Sequence, residues 1–163
     1  MILIKPPIVL TPEQKSLGYT SIFLAGSIEM GKAIDWQSKV QDILKDSPVV
    51  IFSPRRDDYD SSWKQDINEP KFNEQVTWEL DHIDQADYIF MYFDPNTKSP
   101  ITLLELGILT ASPTKVLVCC PEGYWRKGNV DIVCQRYGIS QLNNEDDFFN
   151  FIKGFAEGMP SSQ

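Results

Sequence analysis

The sequence predicts an α/β protein built on a mainly parallel sheet. Short apolar runs alternate with segments of helical periodicity, the pattern of strand-helix-strand units. The runs are continuously apolar, as strands buried on both faces are. Each principal run also ends in a polar or glycine-bearing segment, where sheets of this class place their ligand crevice.

Residues 1–19 contain Pro6, Pro7, Pro12 and Gly18 and read as an irregular lead-in to a single domain spanning 1–163. Thr20–Ala25 is the first clear strand, stopping at Gly26-Ser27. A helix fits from about Lys32 to Leu44, with Ile34, Val40, Ile43 and Leu44 on its apolar face and Pro48 closing it. Val49–Phe52 is the next strand. The polar segment from Ser53 to Pro70 is long for an idle loop in a compact domain. A helix from about Phe72 to Gln85 aligns Phe72, Val76, Leu80 and Ile83. Tyr88–Phe93 is a strand, Ser99-Pro100 is an N-cap and first-turn pair for a helix to about Thr110, and Lys115–Cys119 is another strand. Val130–Cys134 and Ile139–Gln141 are weaker elements, and Asp146–Ala156 is a terminal helix. The crevice rule selects Gly26–Met30, Ser53–Asp60, Asp94–Ser99 and Pro121–Asn129.

Composition narrows the partners. The 163 residues carry 15 Lys+Arg against 23 Asp+Glu, a formal charge of −8. That balance argues against a nucleic-acid or anionic-membrane footprint and leaves small ligands. The three cysteines, Cys119, Cys120 and Cys134, form no CxxC spacing, so neither a disulfide framework nor a zinc site is expected. The six-residue run Tyr88–Phe93 is far shorter than the about 20 residues of a membrane span. No basic segment followed by a long apolar run opens the sequence, so the expectation is a cytoplasmic protein.

Glu105 is the most informative single residue. On a helix its neighbours one turn away are Ile101, Thr102, Ile108 and Leu109, which sets a carboxylate into an apolar stripe. Such a group is partnered, protonated or used; a structural pair with an arginine is an equal alternative. Glu79 borders the apolar stripe of its own helix, where a solvated acid is the simpler reading. Asp94 stands where a strand enters its loop. Three acids near one crevice suggest glycosyl chemistry, in which one carboxyl is nucleophile and another acid. Gly26-Ser27 can bring backbone N–H groups near a ligand. Of Arg55 and Arg56, one is expected to face a ligand or organise the site and one to lie on the surface. His82, the sole histidine, reads as a surface or packing residue, and no Ser-His-Asp triad or P-loop is present.

Read in order, Ile22-Phe23-Leu24-Ala25-Gly26-Ser27, Asp35-Trp36-Gln37, Ser53-Pro54-Arg55-Arg56, Gln75-Val76-Thr77-Trp78-Glu79, Ala86-Asp87 and Pro100-Ile101-Thr102-Leu103-Leu104-Glu105-Leu106-Gly107 resemble the nucleoside 2-deoxyribosyltransferase-like proteins over about residues 20–140. The resemblance implies a flavodoxin-like or Rossmann-like three-layer sandwich. It also implies transfer of a 2-deoxyribosyl group between nucleobases through a covalent intermediate on Glu105. Glu79 falls where other members carry an aspartate near the base, and Asp94 in a loop where they have another acid. Trp78 belongs to the Trp-Glu motif and, with Gly26, Ser27, Arg55 and Arg56, is a candidate for substrate binding. Asn129 resembles an asparagine that reaches a neighbouring subunit's site, which implies a homo-oligomer with shared sites.

The resemblance implies nucleoside and nucleobase substrates and no metal or redox cofactor. Two departures mark a divergent branch: Ile22 or a neighbour replaces a tyrosine, and a Pro-Arg-Arg loop is present. A nucleoside or nucleotide N-glycosidase, for which Arg55 or Arg56 would suit a 5′-phosphate, and a non-catalytic nucleotide-sensing module are the alternatives.

Overall fold

Apolar runs too short for helices supply the sheet, and the amphipathic segments between them cover it. The computed structural model describes residues 1–29 and 33–159. In chain order these form β1 (Ile2–Ile4), α1 (Pro12–Ser16), β2 (Thr20–Gly26), α2 (Trp36–Leu44), β3 (Val49–Phe52), α3 (Pro70–Gln85) and β4 (Tyr88–Tyr92). They continue with α4 (Pro100–Leu109), a 3-10 turn at Pro113–Lys115, β5 (Val116–Cys119), α5 (Lys127–Tyr137), β6 (Ser140–Leu142) and α6 (Glu145–Glu157).

The strands lie in the order β1-β3-β2-β4-β5-β6 and all pair parallel. Without β1 this is the flavodoxin-like order, so the chain reverses direction across the sheet between β2 and β4. Sheets of this order take their ligands there, beyond the carboxyl ends of the strands. Alternation along the strands divides the core into two layers. Phe23, Ala25, Phe52, Ile89 and Met91 face α3, α4 and α5, whereas Ile22, Leu24, Ile51, Phe90 and Tyr92 face α2 and α6. The three-layer sandwich expected from the sequence is present.

Two local expectations are corrected and a third is given its type. Residues 1–19 are not an irregular lead-in: Ile2, Leu3 and Ile4 pair with Val50, Ile51 and Phe52 as an edge strand, and Thr11 caps α1 in a reciprocal capping box with Gln14. A three-residue strand followed by prolines carries too little periodicity to show in sequence. The buried face of α3 is Gln75, Trp78, His82 and Ile83, while Leu80 is exposed. The helix turns because Trp78 stacks on His82 at 4.0 Å and hydrogen-bonds the Ile8 carbonyl at 2.6 Å, so the larger aromatic takes the core. The weak element at Val130–Cys134 is the middle of helix α5, with Val130 and Cys134 buried. The start expected at Lys32 lies outside the described residues, as does Met30, and α2 begins at Trp36 behind an Asp35 cap. All three thiols are buried and unpaired. Among the described residues no helix is long and apolar enough to cross a membrane.

Candidate active site

The site begins where β2 ends. Gly26 has φ +148°, and a Cβ there would stand 2.3 Å from the Tyr92 carbonyl oxygen and 2.9 Å from the Trp36 ring. Only glycine permits β2 and β4 to run this close at the switch point. The next residue, Ser27, is buried and forms the centre of a polar knot. Its hydroxyl meets those of Thr97, at 2.9 Å, and Ser99, and accepts from the Asp94 backbone N–H at 2.9 Å. Its carbonyl accepts from the Trp36 indole at 3.0 Å. Ser99 holds a left-handed φ of 44° at the start of α4 and does not cap it with its side chain, because its hydroxyl belongs to the knot. Two adjacent loops and the N-terminus of α4 are thereby fixed together.

Asp94 is part of the same construction. It is 1% exposed, and its carboxylate accepts from the backbone N–H groups of Ile34 and Asn96, both at 2.8 Å. Glu29 likewise accepts from the backbone N–H groups of Lys98 and Ser99, each at 3.2 Å.

Glu105 presents the opposite case. Anchored by the knot, α4 turns Thr102, Glu105, Leu106 and Leu109 inward and leaves Ile101 and Ile108 exposed. The Glu105 side chain is buried and its Oε2 has no hydrogen-bond partner within the protein. Burial, and then the nearby charge of Glu79, push its carboxyl up to about 8.

Glu79 is half-buried on α3, and desolvation raises it to about 6 against one stabilising hydrogen bond from Gln75. Gln75 Nε2 donates at 2.7 Å to Glu79 Oε1 and at 3.0 Å to the Pro54 carbonyl. With both amide hydrogens used, the Gln75 Oε1 is left as a buried acceptor with no protein donor. The fold therefore brings Glu79 and Glu105 together and places Asp94 in the supporting knot.

The remaining sequence candidates occupy varied places. Arg56 is buried under the loop after β3, paired with Asp58 and, at 2.8 Å, with Glu74, and its guanidinium lies over Trp63. Arg55 is partly exposed and pairs with Asp35 at 2.9 Å. Trp78 lies in the core against Phe23 and His82. Asn129, exposed in the first turn of α5, lines a cavity of about 310 Å³ between α4 and α5 with Leu103, Leu106, Gly107 and Arg126. A more open groove of about 510 Å³ at the opposite end of the sheet is lined by Tyr19, Asp87 and Lys115, far from these acids in the fold. Among the described residues no cluster of His, Cys, Asp or Glu could hold a metal ion. The only sequence signal for the Gln75 contact is its i, i+4 spacing to Glu79.

A family model, nucleoside 2-deoxyribosyltransferase like, matches residues 19–124. The chain belongs to that family. The match contains Gly26, Glu79, Asp94 and Glu105, and so both the knot and the acid pair of this deoxyribosyltransferase-like protein. Asn129 and the elements from α5 onward lie beyond it. Among solved structures, a conserved protein from Enterococcus faecalis V583 superimposes with a TM-score of 0.58 at 14% identity, covering 84% of this chain and 99% of its own. That likeness concerns the fold. No match was found among curated proteins.

Proposed function

We propose that this family member transfers a 2-deoxyribosyl group between nucleobases by double displacement at Glu105. The observation that carries the reading is a buried, unpartnered Glu105 carboxyl beside a second acid of raised pKa. Between about pH 6 and 8 the two carboxyls hold one proton between them, which is the inventory required: one acid and one nucleophile. Substrate whose base meets Glu79 and whose C1′ meets Glu105 draws the proton to Glu79. The Glu105 carboxylate then bonds to C1′ as the C1′–N bond breaks. Its electron pair leaves with the base, and Glu79 supplies the proton. A second base attacks C1′, the ester to Glu105 breaks, and the incoming base returns a proton to Glu79.

The Arg56 side chain is engaged by Asp58 and Glu74, which supports a nucleoside over a nucleotide. Exposed Ile101, Leu104 and Ile108 on α4 support a homo-oligomer, with Asn129 serving a neighbour's site. Three buried, unpaired thiols are in keeping with a reducing, cytoplasmic setting.

Incubation of 2′-deoxyadenosine with isotope-labelled adenine tests the transfer. Label entering the nucleoside is the expected result. Folded protein that exchanges no base across several donors and acceptors would defeat the reading, and base released equally without an acceptor would assign a hydrolase.

A further inference from the structure

Gln75 carries the inference, because its orientation is settled by its own hydrogen bonds. Its two amide hydrogens go to the Pro54 carbonyl, which can only accept, and to Glu79 Oε1, which accepts whether the carboxyl is ionised or carries its proton on Oε2. The amide therefore cannot be reversed without setting its Oε1 against the Pro54 carbonyl oxygen. The residue is 8% exposed, and Oε1, on the same amide that donates to the Glu79 carboxyl, is an acceptor with no protein donor. A buried acceptor left unmatched in a complex is penalised, so a bound ligand is selected for a donor at this point.

We propose that Gln75 and Glu79 together read the N7 and 6-amino edge of an adenine-type base. This rests on the glycosyl-transfer reading, in which Glu79 protonates the departing base. For a purine, N7 is a ring nitrogen able to take that proton, and the group beside it is the substituent on C6. Adenine offers an acceptor at N7 and a donor at N6, the complement of a protonated Glu79 beside the Gln75 Oε1. A 6-oxopurine sets an oxygen against that Oε1, so two acceptors face each other. Uracil and thymine likewise present a carbonyl oxygen beside N3, which leaves cytosine, with its 4-amino group beside N3, as the one pyrimidine of matching pattern. Gln75 is thus a specificity-determining residue, held by the Pro54 carbonyl in the Pro-Arg-Arg loop.

Calorimetric titration of the wild-type protein at pH 5.5 with adenine, purine, hypoxanthine and 7-deazaadenine tests this without requiring turnover. Adenine is expected to bind at least about tenfold more tightly than each of the other three, and Gln75→Met is expected to erase its margin over hypoxanthine. Hypoxanthine binding as tightly as adenine, a margin that survives in folded Gln75→Met, or no binding of any base would overturn the proposal. The wild-type ligand series decides the matter if Gln75→Met does not fold. An adenine preference accompanied by no base exchange from any 2′-deoxynucleoside would defeat the transfer reading and leave the adenine assignment standing.

Discussion

Two polar clusters lie at the carboxyl end of this sheet, and they differ in how their hydrogen bonds close. Around Ser27 and Asp94 the hydroxyls meet one another and the Asp94 carboxylate is matched by backbone N–H groups, with one neighbouring amide oxygen, Gln37 Oε1, left over. Around Glu79 and Glu105 the Glu105 Oε2 and Gln75 Oε1 are buried without partners, and both carboxyls are raised. Buried polar groups in proteins are nearly always satisfied. On the proposed reading the matched carboxylate of Asp94 is scaffold, and the unmatched one of Glu105 is kept for a ligand. Both contain a buried acid at the same end of the sheet, so burial of a carboxylate alone does not mark function. Its unmet bonding does.

Substitutions separate the two clusters most sharply. Glu105→Gln keeps shape and removes the nucleophile; base exchange should fall by about 10³-fold or more, measured as kcat on 2′-deoxyadenosine. A variant retaining a tenth of wild-type activity would place the nucleophile elsewhere. Glu79→Gln should reduce exchange about 10²-fold with nucleosides, yet much less with a 2-deoxyribosyl donor whose leaving group departs without a proton. Equal losses on both donors would remove Glu79 from the role of acid.

Stability should move in opposite directions in the two clusters. Asp94→Ala strands the Ile34 and Asn96 N–H groups and should cost about 2–3 kcal/mol, seen as a Tm lowered by about 4–12 °C at pH 7. Glu105→Gln should instead raise Tm at pH 8 by about 4 °C and change it little at pH 5. The sign follows from linkage. A carboxyl raised from its model value of 4.5 to about 8 binds more protons folded than unfolded, so wild-type stability declines as pH rises through that interval. A wild-type Tm rising from pH 5 to 8, with Glu105→Gln following it, would remove the frustration attributed to this group.

The sequence made the open cluster easier to see than the closed one. Glu105 stood out because apolar residues surround it within one helix, and the strands of the central sheet were readable as continuous apolar runs. The knot was hidden because Ser27 meets Thr97 and Ser99 across about seventy positions of chain, and no local pattern announces a hydroxyl cluster. Gln75 was hidden for a related reason, since its anchor is the Pro54 carbonyl 21 residues earlier. Periodicity weighs Leu80 equally with Trp78 on α3, while packing favours the aromatic that stacks on His82 and bonds the Ile8 carbonyl. β1 escaped notice because an edge strand of three residues shows no period.

The central claim is that the carboxyl of Glu105, left open by the fold, becomes covalently bonded to the sugar. Incubation with a 2-fluoro-2-deoxy-sugar nucleoside, which slows release of the glycosyl ester, followed by peptide mass spectrometry tests it directly. The account predicts a glycosyl mass increment confined to the peptide bearing Glu105 and absent from Glu105→Gln. An adduct on another residue, or turnover of the donor by folded protein with no adduct formed, would contradict it.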